Sequence, residues 1–149
     1  MQAIDVFSLA SHAGDYRYWP LQTRLLQNGV PTACYVPGYR LLHQFQTGTG
    51  DYLLICDWDC PFEEASEFVL LSPELRILAR RSLGLPYASF VLDGVEIAGP
   101  DRLRLTYYPD RQWLLRVAVP FNRLPGFLGR CRLLHGRRRL NLRRLAGAE

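Results

Sequence analysis

Glycine and proline interrupt this chain at short intervals. Twelve Gly and ten Pro are spread over 149 residues, and past residues 1–13 no run without either is longer than the eleven residues Phe62–Ser72. Because Pro breaks the helical hydrogen-bond ladder and Gly weakens it, long helices are excluded. What remains are short runs of strand-forming residues bounded by turn residues, which is typical of antiparallel hairpins.

Alternation of apolar and polar residues marks the clearest hairpin. Apolar residues recur at every second position of Leu103–Tyr107 and of Trp113–Val119, and the turn Pro109–Gln112 joins the two runs. This period is typical of strands with one buried face. The other strand-like runs are Ala3–Leu9, Thr32–Val36, Tyr39–Gln46, Tyr52–Trp58, Ser89–Ile97, Cys131–Leu134 and Arg139–Leu145. We expect the three runs between Thr32 and Trp58 to form a meander. We expect Cys131–Leu134 and Arg139–Leu145 to form a charged edge hairpin.

Two segments allow either a helix or a hairpin. In Glu67–Leu83, the sequence Ser72-Pro73-Glu74 is a good helix entry, but a helix of about ten residues would be short, and the apolar run Phe68–Leu71 needs a pairing partner. We therefore predict a hairpin there. The segment Pro20–Leu26, followed by Asn28-Gly29, fits a short helix closed by Gly or a hairpin with an Asn-Gly turn, and both remain open.

These elements predict the fold class. About ten short strands joined by tight turns suit a mainly β, single-domain antiparallel meander that forms a curled sheet, a barrel or a sandwich, with at most short helices. A length of 149 residues fits one domain spanning residues 1–149.

Charge is segregated along the chain. All eighteen basic residues are Arg, and the formal net charge is +4. Seven acidic residues and no Arg lie in the acidic block Asp51–Glu74, whereas eight Arg and no acidic residue lie in the basic block Arg123–Arg144. The basic block contains no aromatic residue from Arg130 onward, so it lacks the stacking platforms of a single-strand binder. We therefore do not expect nucleic acid to be a partner.

The acidic block is the better candidate for a functional surface, because it combines carboxylates with large aromatic side chains and a rigid Pro61. Aromatic anchors inside a charged rim are typical of interface hot spots, and the carboxylates would steer a basic partner. We expect a non-enzymatic protein-binding module, such as a small bacterial immunity or inhibitor protein that binds a basic toxin or effector. The predicted partner-binding residues are Asp57, Trp58, Asp59, Phe62, Glu63, Glu64 and Glu67.

The alternative is a small β-barrel that binds a ligand or acts as an enzyme. Its pocket would be lined by Tyr35, Tyr39, Tyr52 and Trp113. A cysteine nucleophile would need Cys56 or Cys60 beside His43, with Asp57 as the orienting acid, and the acidic residues around Cys60 oppose thiolate formation.

No cofactor, metal ligand or catalytic residue is expected from the motifs. The acidic loop lacks the central Gly of a calcium loop, and Cys56 and Cys60 have neither a second close cysteine pair nor a nearby His. The sequence shows no secretory signal and no apolar run of membrane-spanning length, so we expect a cytoplasmic protein without membrane contact and with four free thiols.

Overall fold

The fold is seen in a computed structural model, which describes residues 1–59, 65–84, 90–118 and 138–145. Its only helical element in these residues is one turn of 3₁₀ helix, Tyr16–Tyr18. None of the described residues forms a helix long and apolar enough to cross a membrane. The expected mainly β fold with at most short helices is confirmed. The strands are β1 (Gln2–Ala3), β2 (Phe7–Leu9), β3 (Thr23–Gln27), β4 (Val30–Val36), β5 (Arg40–Gln46), β6 (Tyr52–Asp57), β7 (Ala65–Leu71), β8 (Ile77–Gly84), β9 (Leu92–Gly99), β10 (Arg102–Tyr107), β11 (Arg111–Ala118) and β12 (Arg139–Arg144).

The strands form three antiparallel sheets. The central sheet has the order β1-β5-β6-β7-β8, the N-terminal sheet β2-β3-β4, and the C-terminal sheet β12-β11-β10-β9. Within the described ranges each order is open at both ends, so the arrangement is that of stacked, curled sheets and not of a closed barrel.

The inner strands of the central sheet, β6 and β7, are buried on both faces. In β6, Leu53 and Ile55 pack toward the C-terminal sheet, while Leu54 and Cys56 pack toward the N-terminal sheet. Because neighbouring side chains of a strand point to opposite faces, a strand between two layers must be apolar at consecutive positions. The core under the C-terminal sheet consists of Phe45, Leu53, Ile55, Phe68, Leu70, Phe90, Leu103, Leu105, Tyr107, Leu115, Val117 and Leu140. The core under the N-terminal sheet consists of Phe7, Leu25, Cys34, Val36, Leu54, Cys56, Val69 and Leu71.

The hairpin predictions are largely confirmed. Strands β7 and β8 pair from Ala65↔Gly84 to Leu71↔Ile77, and β10 pairs with β11. The segment Pro20–Leu26 with Asn28-Gly29, for which a helix and a hairpin were both open, leads into the β3–β4 hairpin. Asn28 and Gly29 form its tight turn, and both have the positive φ angles that such a turn requires, 51° and 78°. Of the last predicted hairpin, the second strand is β12, which pairs with β11, and Cys131–Leu134 lies outside the described residues.

Two sequence predictions of strand order were wrong. Ala3–Leu9 is not one strand, since β1 joins the central sheet and β2 the N-terminal sheet. The meander from Thr32 to Trp58 is broken after β4, which pairs with β3, while β5 and β6 pair with each other. The physical reason for the break after β4 is the turn at Gly38, whose φ of 97° lets the chain pass from one layer to the next.

Candidate functional site

Five aromatic side chains meet where the N-terminal and central sheets adjoin. The ring of Tyr39 lies 5.2–5.6 Å from four others, measured between centroids, and all four contacts are edge-to-face. This geometry is the favoured one for aromatic pairs. The aromatic cluster consists of His12, Tyr16, Trp19, Tyr39 and Trp58.

The position of Tyr39 is set by the backbone of Gly38. A Cβ atom at Gly38 would lie 2.7 Å from the carbonyl oxygen of Asp57, so only glycine fits this close approach. The Tyr39 N–H donates to the same oxygen at 2.7 Å, and the Thr23 hydroxyl donates to the Gly38 carbonyl at 2.6 Å. Because that hydroxyl proton is already used, His12 Nε2, 2.7 Å away, must be the donor to Thr23 Oγ1. These bonds tie the backbone at Gly38 and Tyr39 to β6 and β3, and so fix where the Tyr39 ring begins.

The segment before β3 adds exposed apolar surface to the aromatic cluster. Tyr18 is 82% exposed, Leu21 75% and Tyr16 39%. Asp15 caps the 3₁₀ turn by accepting from the Arg17 N–H and guanidinium, and the Trp19 indole N–H donates to the Gly14 carbonyl at 3.2 Å.

Paired charges border the aromatic cluster. The Arg40 guanidinium lies 2.5 Å from an Asp57 carboxylate oxygen and 3.2 Å from one of Asp59. The hydrogen bond to Asp57 raises the pKa of Arg40, so this cation is permanent. One Arg faces two carboxylates, which leaves one negative charge beside Trp58.

Of the predicted partner-binding residues, the structure brings Asp57, Trp58 and Asp59 together next to Tyr39. Glu67 lies apart from them: it pairs with Cys56 across the central sheet, and only 9% of it is exposed. Phe62, Glu63 and Glu64 lie outside the described residues.

Sequence reasoning missed the larger part of the aromatic cluster. His12, Tyr16, Trp19 and Tyr39 are distant from Trp58 along the chain. The pairing of β5 with β6 and the turn at Gly38 bring Tyr39 to Trp58, and the hydrogen bonds from His12 to Thr23 and from Thr23 to Gly38 hold the segment before β3 beside them. The one local signal was the aromatic density of Tyr16-Arg17-Tyr18-Trp19, ahead of Pro20.

The residues proposed to line a pocket are not gathered at one place. A groove of about 880 Å³ runs beside β5 and includes Tyr39, Arg40 and His43 in its lining, together with Asp5 and Glu96. The other three pocket candidates lie elsewhere. Tyr35 is exposed on β4, Tyr52 packs edge-on against Phe7, and Trp113 packs on the core under the C-terminal sheet.

The alternative nucleophile arrangement with Cys56 does not form. His43 and Cys56 lie on opposite faces of the central sheet, since His43 stands opposite Ile55 and Cys56 opposite Leu41. Burial, together with the charges of Asp57 and Glu67, raises the pKa of Cys56 to about 12 and keeps it a thiol.

Cys34 and Cys56 are free thiols, and the other two cysteines for which free thiols were expected, Cys60 and Cys131, lie outside the described residues. Within the part of the chain that the structure describes, no three His, Cys, Asp or Glu side chains are grouped as metal ligands would be.

Comparisons with known protein families, with curated proteins and with solved structures find no match to this chain.

Proposed function

We propose that this protein is a non-enzymatic protein-binding module and that the aromatic cluster, extended by the exposed Tyr18 and Leu21, is its contact surface. The observation that carries the proposal is the exposure of large apolar side chains beside packed aromatic rings, with Tyr18 82% and Leu21 75% exposed. Exposed apolar surface rimmed by charges is typical of protein interfaces, whose energetic centres are rich in Tyr, Trp and Arg.

The packing of the cluster favours a protein surface over a cavity for a small cation. An aromatic cage needs open space between its rings. Here the rings of Trp19 and Trp58 each lie 5.2 Å from that of Tyr39, in direct contact. Rings held in place by one another lose little side-chain entropy on binding, which suits rigid anchors.

The charges favour a basic partner. The group formed by Arg40, Asp57 and Asp59 keeps one net negative charge next to Trp58, so it attracts a cation weakly and orients it. Exposed ion pairs contribute about 0–1 kcal/mol each, whereas a desolvated aromatic anchor contributes about 2 kcal/mol or more. On this basis the aromatic side chains supply affinity and the carboxylates supply orientation.

We extend the proposal to a small bacterial inhibitor or immunity protein that acts in the cytoplasm on a basic toxin or effector. Small size, a rigid all-β scaffold and a compact aromatic surface with a negative rim support this class. Glu67 is left out of the contact surface because it is buried.

Affinity capture from the cells that produce the protein tests the proposal. Tagged wild-type protein, Tyr18→Ala and Tyr108→Ala are compared, and captured proteins are quantified by mass spectrometry. Tyr108 is the matched control, because it is a Tyr that is 62% exposed in the turn between β10 and β11. We expect a basic protein that Tyr108→Ala retains and Tyr18→Ala loses. Equal capture by both variants would refute this surface.

The groove beside β5 supports a second candidate, the binding of a small ligand. Its volume of about 880 Å³ is in the range of ligand sites, and Arg40 and His43 would supply its polar contacts. Thermal-shift screening separates the two functions. A ligand that stabilises the wild-type protein and not His43→Leu would favour the groove.

A further inference from the structure

The outer face of the C-terminal sheet carries an array of arginines. In each strand, alternate residues such as Leu103, Leu105 and Leu115 face the core, so the residues between them face away from it. Strand pairing places these outward residues side by side in rows that run across the sheet. Three such rows are Arg104, Leu114 and Arg143; Arg102, Arg116 and Asn141; and Ala118 with Arg139. We call this surface the arginine face, and its cations are Arg102, Arg104, Arg116, Arg139 and Arg143.

All five arginines of this face are exposed. Arg102 and Arg116 stand directly opposite each other, which repels unless a counter-charge lies between them. Asp101 supplies it, at 3.2 Å from Arg102 Nε and 2.8 Å from Arg116 Nε. These hydrogen bonds, the one from Arg116 foremost, lower the pKa of Asp101.

Arg104 also has a partner, because Glu96 lies 3.3 Å from it, although the Glu96 side chain is 71% exposed. With five cations against two carboxylates, the arginine face keeps three net positive charges.

We propose that the arginine face binds the phosphate backbone of duplex nucleic acid. Charge complementarity carries the proposal, since arginine donates to phosphate oxygens in the geometry they accept best. Residues two apart on a strand, such as Arg102 and Arg104, are spaced about 6.8 Å, so the face offers a regular lattice of cations. The polar Asn141 stands in one of these rows, and Gln112, which is paired with Thr106, faces outward in a neighbouring row; both side chains can donate to phosphates as well.

The composition of the face favours duplex nucleic acid over a protein partner and over a single strand. The core of a protein interface needs large apolar or aromatic side chains, and of these only Leu114 stands in the three rows. Stacking on unpaired bases needs aromatic rings, which the three rows do not contain. The repeated phosphates of a duplex backbone match a regular array of exposed arginines that lacks aromatic anchors.

This proposal revises the sequence expectation that nucleic acid is not a partner. That expectation considered Arg130–Arg144 alone, whereas strand pairing adds Arg102, Arg104 and Arg116 to the same face. The arginine face belongs to β10–β12 and the aromatic cluster to residues 12–58, so the two surfaces are tested independently.

The test is fluorescence anisotropy with a labelled duplex of about 20 base pairs, titrated at several salt concentrations. Each phosphate contact adds about 0.9 to the steepness of log affinity against log salt. If only Arg139 and Arg143 contact phosphates, because the other three arginines keep their carboxylate partners, the slope of log affinity against log salt is about −2. If all five arginines contact phosphates, this slope is about −4.5. The expected wild-type slope lies between these values.

Two variants change the face in opposite directions. Arg139→Gln combined with Arg143→Gln is expected to weaken binding and to reduce the steepness by about 1.8. Asp101→Asn is expected to strengthen binding, because it frees two arginines for phosphate. The control is Arg24→Gln combined with Arg80→Gln, which removes the same charge from exposed positions on β3 and β8. Circular dichroism checks that each variant is folded.

The proposal is upheld if the face variant loses slope and affinity while the control keeps both. It is overturned if face and control variants lose affinity equally, because net charge alone then explains binding. It is also overturned by absence of binding at 50 mM salt, by tighter binding of a single strand than of the duplex, or by equal competition from polyglutamate of matched charge.

Discussion

Replacement of Gly38 by Ala tests how the aromatic cluster is positioned. Gly38 has a φ of 97°, and a Cβ there would lie 2.7 Å from the Asp57 carbonyl oxygen and 2.9 Å from the Cβ of Cys56. The positive φ costs about 1–2 kcal/mol for a residue with a side chain. The overlap with rigid backbone costs a further 1–3 kcal/mol, roughly as in overpacked cores. We therefore expect Gly38→Ala to lower the free energy of unfolding by about 2–5 kcal/mol.

Gly29→Ala is the matched control for Gly38→Ala. Gly29 has a similar φ of 78°, but no atom lies within 4 Å of its Cβ position, so only the conformational cost of about 1–2 kcal/mol applies. Urea denaturation gives the unfolding free energies, and near-ultraviolet circular dichroism reports on the packing of the aromatic rings. Gly38→Ala is expected to weaken the near-ultraviolet signal, while Gly29→Ala keeps it. If both variants lose equal stability and keep the same spectrum, the close approach of Gly38 to Asp57 does not position the aromatic cluster.

Three further predictions concern the core and a buried ion pair. Because its pKa is raised to about 12, Cys56 should resist alkylation in the folded protein at pH 8. The unfolded state ionises this thiol from about pH 9 and the folded state does not, so the unfolding free energy should fall between pH 9 and 12, by at most about 1.4 kcal/mol per pH unit. Cys56→Ala should remove that part of the dependence. Leu53→Ala and Leu54→Ala should each lower the unfolding free energy by about 2–5 kcal/mol, because they face different cores; if either is neutral in urea denaturation, the three-layer arrangement is wrong. Asp51 is 1% exposed and is paired with Arg138. Asp51→Asn should therefore lower the unfolding free energy by about 1–3 kcal/mol, and an unchanged urea midpoint would contradict this.

Local patterns were enough to predict the β7–β8 and β10–β11 hairpins. Apolar residues recur at every second position of Leu103–Tyr107 and of Trp113–Val117 because one face of the C-terminal sheet is buried and the other is not. In β6 and β7 alternation is absent, since both faces are buried, and an apolar run alone does not say which layer covers which face. For that reason the sequence indicated strands there but not the three layers.

The candidate surfaces depend on contacts that are remote along the chain. Trp58 was singled out from its acidic neighbours, but its ring partner Tyr39 follows from the turn at Gly38 and the β5–β6 register. The arginine face likewise needs the pairing of β12 with β11, which places Arg143 in one row with Arg104. A change of register by one residue would turn these side chains to the other face of the sheet.

The rate at which a captured partner dissociates from Trp58→Ala tests most directly the claim that the aromatic cluster is a protein-binding surface. The purified partner is immobilised, and dissociation is followed for wild-type protein, Trp58→Ala and Tyr108→Ala at one salt concentration. An anchor worth about 2 kcal/mol predicts dissociation about 30-fold faster for Trp58→Ala, with little change in the association rate and none for Tyr108→Ala. A folded Trp58→Ala protein that dissociates at the wild-type rate would contradict the claim.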